Sequence, residues 1–192
     1  MQEGYLNNQL LIAMPQMHDP VFEKTVTLIC EHNADGALGI VINRPIAISV
    51  GEVLQQLDLE YQGNEGNEPV LIGGPVASDR GFVLHRIDSD LNSEHGRWAS
   101  SLDVSEQIRV TTSKDIMLAI ANGSGPSQKA FALGYSGWEA GQLEEELLAN
   151  AWLTAPCDTR ILFEIPYAQR WEAAAQSIGI DLHNLSGDVG HA

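Results

Sequence analysis

The chain has 192 residues, 44% of them apolar, and carries 26 Asp and Glu against 10 Lys and Arg, a formal charge of −16. This length buries roughly 70% of the unfolded surface, so one domain spanning residues 1–192 is expected, and 18 Gly with 8 Pro promise many turns. A strongly negative field with few, scattered basic groups argues against direct nucleic-acid binding, and no apolar run approaches the ~20 residues of a membrane span.

Thr25 to Cys30 alternates, with Val26, Leu28 and Cys30 on one face and Thr25, Thr27 and Ile29 on the other. Ala37 to Ile42 places Leu38, Ile40 and Ile42 together, and the intervening His32-Asn33-Ala34-Asp35-Gly36 contains an Asp-Gly pair suited to positive φ. The spacing predicts a hairpin covered on both faces. Ser49-Val50-Gly51-Glu52 is a capping box opening a short helix with Val50, Val53, Leu54 and Leu57. A polar loop, Glu60 to Glu68, follows. Val70 to Ile72, Phe82 to Leu84 and Ile108 to Thr111 are short strands, and Ser113 caps a helix with Ile116 and Ile120 that Gly123 ends. Ala130 to Leu133 is a strand, after which Ser136 is expected to open a helix carrying Leu143, Leu147 and Ala151. Arg160 to Ile165 alternates as a strand. Pro166 then introduces a last helix with Ala168, Trp171, Ala175 and Ile178 inward and Gly179 as its stop. Strands and helices do not alternate regularly, so the predicted class is α+β.

Several constellations bear on chemistry. Gly134-Tyr135-Ser136-Gly137-Trp138 sits where a nucleophile elbow would, but that motif needs Gly-x-Ser-x-Gly and Trp138 fills the last position. Ser136-Gly137-Trp138-Glu139 also reads as a capping box, so Ser136 is a helix cap or, alternatively, a nucleophile assisted by His85. His85 itself, after Phe82-Val83-Leu84, is a hydrogen-bonded core histidine or a catalytic base. Gly73-Gly74-Pro75 is a tight turn or an anion contact, and it lacks the Lys-Ser/Thr of nucleotide loops. Arg44 in Asn43-Arg44-Pro45 and Arg80 in Asp79-Arg80-Gly81 each flank a strand, either as internal ion pairs or as forks for a carboxylate or phosphate. Asn43, Arg44, Gly73, Gly74 and Arg80 therefore form the candidate ligand-binding set.

Six histidines show no metal-ligand spacing, so neither a metal nor a cofactor is expected. Glu144-Glu145-Glu146 makes one helix acidic, a solvated face or a docking surface for a basic partner. Trp138, Trp152 and Trp171 sit where core anchors are expected; Trp98 is expected to be partly exposed. Cys30 and Cys157 lack Cys-x-x-Cys spacing, which fits two thiols in a reducing cytosol and leaves a single disulfide open. Met1-Gln2-Glu3-Gly4-Tyr5 lacks the basic region of a signal peptide. A cytoplasmic location is expected.

Leu11 to Pro15, Asp19-Pro20-Val21-Phe22, Glu31-His32, Asn43-Arg44-Pro45, Gly73 to Val76 and Asp79 to His85 occur in an order that resembles the YqgE/AlgH family of bacterial proteins. Leu133 to Trp138, Gly141 to Glu144, Trp152-Leu153, Arg170-Trp171 and Gly190-His191-Ala192 extend the resemblance over nearly the whole chain. It implies a branched sheet curled into a pseudo-barrel with helices outside. It also implies a regulatory role associated with transcription, which the charge makes indirect. The resulting expectation is a non-enzymatic module binding a protein partner or a small anionic ligand, with a serine-dependent hydrolase or transferase using Ser136 as the alternative. A structural subunit of a larger assembly is the third reading.

Overall fold

The structure, a computed structural model, describes residues 4–61, 66–87 and 98–186. The centre of the expected polar loop (62–65), His95 and the 190–192 segment lie outside the described residues. In chain order the elements are β1 (Gln9–Ala13), β2 (Val26–Asn33), β3 (Gly36–Val41), β4 (Pro45–Ser49), α1 (Val50–Gln56), β5 (Pro69–Ile72), β6 (Val76–Arg86), β7 (Ser101–Asp103) and β8 (Ile108–Thr111). There follow α2 (Lys114–Ala121), β9 (Lys129–Glu139), α3 (Gln142–Leu148), β10 (Trp152–Pro156), α4 (Thr159–Phe163), a 3-10 turn (Tyr167–Gln169), α5 (Arg170–Gln176) and α6 (Leu182–Ser186).

The fold is α+β, a branched and curled sheet in the order β10-β1-β2-β3-β9-β6-β8-β7, with β4 beside β5 and β5 parallel to β9. The branch is β9. Its first half pairs with β6 and β5, and residues 136–139 pair with β3. Gly134, at φ +72, bends the strand between its two partners. A Cβ there would lie 2.5 Å from the Gly74 carbonyl oxygen, so only glycine lets the strands cross.

Three clusters fill the layers. The largest lies inside the curl, with Leu10, Leu28, Ile40, Leu84 and Val110 closed over by Ile161 and Ala174 of α4 and α5. The second packs α1 and α2 on Val70, Val83 and Phe131. The third sets α3 against Leu11, Ile29, Trp138 and Trp152. Leu28 and Ile29 belong to different clusters, which is why both faces of β2 are apolar. The Ser49 capping box forms as read, with Glu52 N–H donating to Ser49 Oγ at 3.2 Å and Ser49 N–H donating to Glu52 Oε2 at 2.7 Å.

Three expectations are corrected. Ser136 opens no helix: β9 continues to Glu139, and α3 begins at Gln142 after Gly141 at φ +79. The period is two rather than 3.6, since Ser136 and Trp138 are buried while Gly137 and Glu139 are exposed. Arg160 to Ile165 is not a strand, because Asp158 caps Thr159–Phe163 by accepting from Arg160 N–H. The helix after Pro166 is not the last; Trp171, Ala175 and Ile178 pack inward as expected, Arg170 and Ala174 are buried with them, and Ala168 is exposed. Gly179 does end it at φ +75, before α6. Strands β4, β7 and β10 are not among the elements expected from the sequence.

Candidate functional site

Gly73 and Gly74 sit at the branch. Gly73 N–H donates to the Leu133 carbonyl at 2.8 Å, and its own carbonyl accepts from Val41 N–H at 2.9 Å and Ser136 Oγ at 3.2 Å. A Cβ on Gly73 would stand 2.3 Å from the Gly134 carbonyl oxygen, and one on Gly74 2.2 Å from Tyr135 O. The diglycine is a close crossing of backbones, and the Gly73 amide faces a strand rather than a ligand.

Ser136 is fully buried. His85 is 2% exposed; Nδ1–H donates to the Arg86 carbonyl at 3.1 Å, so in the neutral ring Nε2 accepts from the Thr111 hydroxyl at 2.9 Å. His85 stands opposite Lys129, and Ser136 lies seven residues further along the bent β9. That spacing is about 20 Å along the strand. The two are not brought together, and neither reaches solvent.

Arg80 is exposed on an irregular segment of β6 between Val76 and Gly81, with its guanidinium 5.6 Å from the Phe82 ring centroid. Asn43 and Arg44 lie at another corner and act on one turn. Asn43 Oδ1 accepts from Val26 N–H and Nδ2 donates to the Lys24 carbonyl, both at 2.9 Å. Arg44 Nη2 donates to the Glu23 carbonyl at 2.6 Å and Nη1 to that of Pro20 at 3.5 Å. These bonds hold Lys24 at φ +54, a conformation that costs a non-glycine residue about 1–2 kcal/mol. Lys24 is exposed and makes no ion pair among the described residues.

Behind Asn43 stands Arg170, 3% exposed. Its Nη1 donates to the Ile42 carbonyl at 2.7 Å and Nε to that of Ile165 at 2.8 Å, and its guanidinium lies 4.3 Å from the Tyr167 ring centroid. Burial pulls its pKa down to about 10, with Tyr167 acting in the opposite sense, so it remains a cation at pH 7. No carboxylate pairs with it among the described residues. An open cleft of about 530 Å³ lies beside this group, lined by Lys24, Asn43, Tyr167, Trp171, Glu172 and His183 among others. His183 Nε2 is 3.4 Å from Glu172 Oε1. Of the ten Lys and Arg in the chain, Lys24, Arg44 and Arg170 thus gather around Asn43. Asn43 and Arg44 were legible as candidates, whereas Lys24, Tyr167 and His183 were not, because a turn held by distant side chains and two short C-terminal helices assemble them.

The acidic run divides. Glu144 Oε1 accepts from His32 Nε2 at 3.0 Å, the nitrogen left protonated because Nδ1 accepts from Leu6 N–H. Glu146 accepts from the Trp138 and Trp152 indoles, and Glu145 is exposed. Cys30 and Cys157 are free thiols. Asn8 lies between them, donating to the Ile29 carbonyl and accepting from Cys157 N–H. Two strand spacings of about 10 Å exceed the ~7 Å a disulfide spans. Burial, then Asp158, pushes Cys157 up to about 12, and burial raises Cys30 further. Among the described residues no group of three or more His, Cys, Asp or Glu is placed to hold a metal, and no helix is long and apolar enough to cross a membrane.

Fold and site together define a class: an α+β domain on a branched, curled sheet, with grouped cations beside an open cleft. The sequence profile of the AlgH-like family matches residues 10–183, and the chain belongs to that family. It is 48% identical over 187 residues to a UPF0301 protein of Saccharophagus degradans, covering 97% of this chain and 89% of that protein. A UPF0301 protein of Thioalkalivibrio sulfidiphilus is 53% identical over 185 residues, 96% of each chain. Among solved structures, the AlgH protein from Pseudomonas aeruginosa superposes with a TM-score of 0.77 at 45% identity, covering 100% of this chain and 98% of that one. A protein from Corynebacterium diphtheriae shares the fold at 18% identity and a TM-score of 0.74, over 94% of this chain and 91% of that one.

Proposed function

We propose that this protein is a non-enzymatic cytoplasmic binding module that takes a small anionic ligand in the cleft beside Asn43 and acts on gene expression indirectly. The observation that supports this is the gathering of Lys24, Arg44 and Arg170 around Asn43 in a chain of charge −16. In so acidic a molecule, a local group of cations is where an anion finds a favourable potential. Asn43 and Arg44 position the site through backbone contacts, Arg170 supplies a buried positive charge behind it, and Lys24 presents a charge to the cleft. The regulatory part rests on the resemblance to the alginate-associated branch of the family. The charge disfavours contact with a promoter, so the effect on transcription passes through the ligand or another protein.

Native mass spectrometry of protein purified gently from its own cells tests the reading. The expected result is a non-covalent increment of a few hundred daltons that falls in Lys24→Gln, a variant that removes a charge but no hydrogen bond seen in the structure. A bare mass, or an increment indifferent to Lys24→Gln, would overturn it.

A further inference from the structure

Two aromatic rings line the same cleft as Lys24, and both are fixed. Tyr167 is half-buried, with the Arg170 guanidinium against its ring at 4.3 Å. Trp171 is half-buried, with Nε1–H donating to the Ala13 carbonyl at 2.9 Å. They stand four residues apart across the junction of the 3-10 turn and α5, a spacing that puts side chains on one helical face. Rings already immobilised by the protein lose little entropy when a flat ligand stacks on them. Asn43 has its side-chain oxygen and nitrogen engaged by Val26 and Lys24, so the wall between the rings and Lys24 makes few polar demands of its own.

The charged groups of the cleft come from three elements, and Glu172 shares α5 with Trp171. Lys24 comes from the turn before β2, and His183 with Glu172 comes from α6 and α5. Glu172 is the one carboxylate among the described lining residues, and His183 stands against it. At about 530 Å³ the cleft falls within the ~300–1,000 Å³ typical of small-molecule sites, well above what a bare inorganic anion needs.

We infer that the ligand is a planar aromatic anion, its ring stacked at Tyr167 and Trp171 and its carboxylate or phosphate held at Lys24. This rests on the anion-binding reading above and adds the ring to it. The shared chemistry is an aromatic ring with an anionic arm a few bonds away; both aryl carboxylates and nucleoside monophosphates have it.

Isothermal titration calorimetry with six probes separates the parts. Indole-3-acetate and adenosine monophosphate carry ring and charge, acetate and inorganic phosphate carry charge alone, and indole and adenosine carry the ring alone. At least one aromatic anion is expected to bind at least tenfold more tightly than either of its counterparts, and which one does identifies the arm. Lys24→Gln should reduce it to the level of the neutral ring, and Trp171→Leu to that of the bare anion. Because Trp171→Leu also removes a bond to Ala13, Ala168→Trp is the companion variant: it fills the cleft from an exposed position and should abolish binding in a protein that melts normally. If acetate or phosphate binds as tightly as its aromatic partner, the aromatic inference is overturned and the anion reading survives. If indole or adenosine binds as tightly as the charged form, the anion reading fails with it. Absence of heat with all six, or binding unaffected by Ala168→Trp, overturns this inference and leaves the mass increment to decide the other.

Discussion

Glu146 accepts two indole N–H groups through one oxygen, from Trp138 at 2.9 Å and Trp152 at 2.8 Å, while its other oxygen takes Gln142 Nε2. The two indoles are 6% and 5% exposed and meet edge to face at 6.2 Å between centroids. A buried donor left without a partner costs ~1–3 kcal/mol. Glu146→Ala, which strands two, is therefore expected to destabilise the fold by about 2–4 kcal/mol, whereas exposed Glu145→Ala should stay within about 0.5 kcal/mol. Urea melts of the pair check this; equal effects would mean that the run acts as a solvated charge cluster. The sequence presents three identical letters here. What separates them is which carboxylate faces an indole or His32, and that follows from the pairing of distant strands.

At the scale of elements, the joint at Gly134 carries the topology. Gly134→Ala places a methyl group 2.5 Å from the Gly74 carbonyl oxygen and 2.9 Å from that of Val76, at φ +72. Gly123 has a similar φ of +74 with nothing within 4 Å of its Cβ position. Gly123→Ala should cost only the left-handed backbone preference, ~1–2 kcal/mol, and Gly134→Ala at least about 2 kcal/mol more, because two backbone carbonyls must move. Thermal melts of the two variants separate conformational preference from collision, and similar losses would show that the strands part easily. At this joint local sequence signals no longer determine the structure. The β2–β3 hairpin and the Ser49 cap were legible because alternation and capping are local. Ser136 to Glu139 has the letters of a capping box, yet Ser136 sits opposite Gly39 and Gly137 opposite Leu38, a register set almost a hundred residues away. Asn43 and Arg44 were legible as unusual polar residues in a turn, and the direction in which they act, onto the backbone of the turn at Lys24, was not.

Over the whole molecule, charge is unevenly placed. β2 runs from Val26, beside the Lys24 turn, to Asn33, where an open groove of about 500 Å³ is bordered by Glu31, Asp35 and Glu139. Eight strand residues span about 25 Å, so Lys24, Arg44 and Arg170, with Glu172 beside them, lie near one end of this strand, and Glu31, Asp35 and Glu139 near the other. A net charge of −16 makes the compact state repel itself. At 0.01 M salt the screening length is ~30 Å, comparable to the molecule, and at 0.15 M it is ~8 Å. Screening also weakens the ion pairs that hold the fold, but the exposed Arg160–Asp158 pair is of the weak, solvent-screened surface kind. Repulsion among many like charges should outweigh them. Tm is therefore expected to rise by several degrees between 0.01 and 0.15 M sodium chloride, with about 1 kcal/mol corresponding to ~2–4 °C for a chain of this size. A fall in Tm over that interval would mean that specific ion pairs, rather than the excess of carboxylates, dominate the electrostatics of this fold.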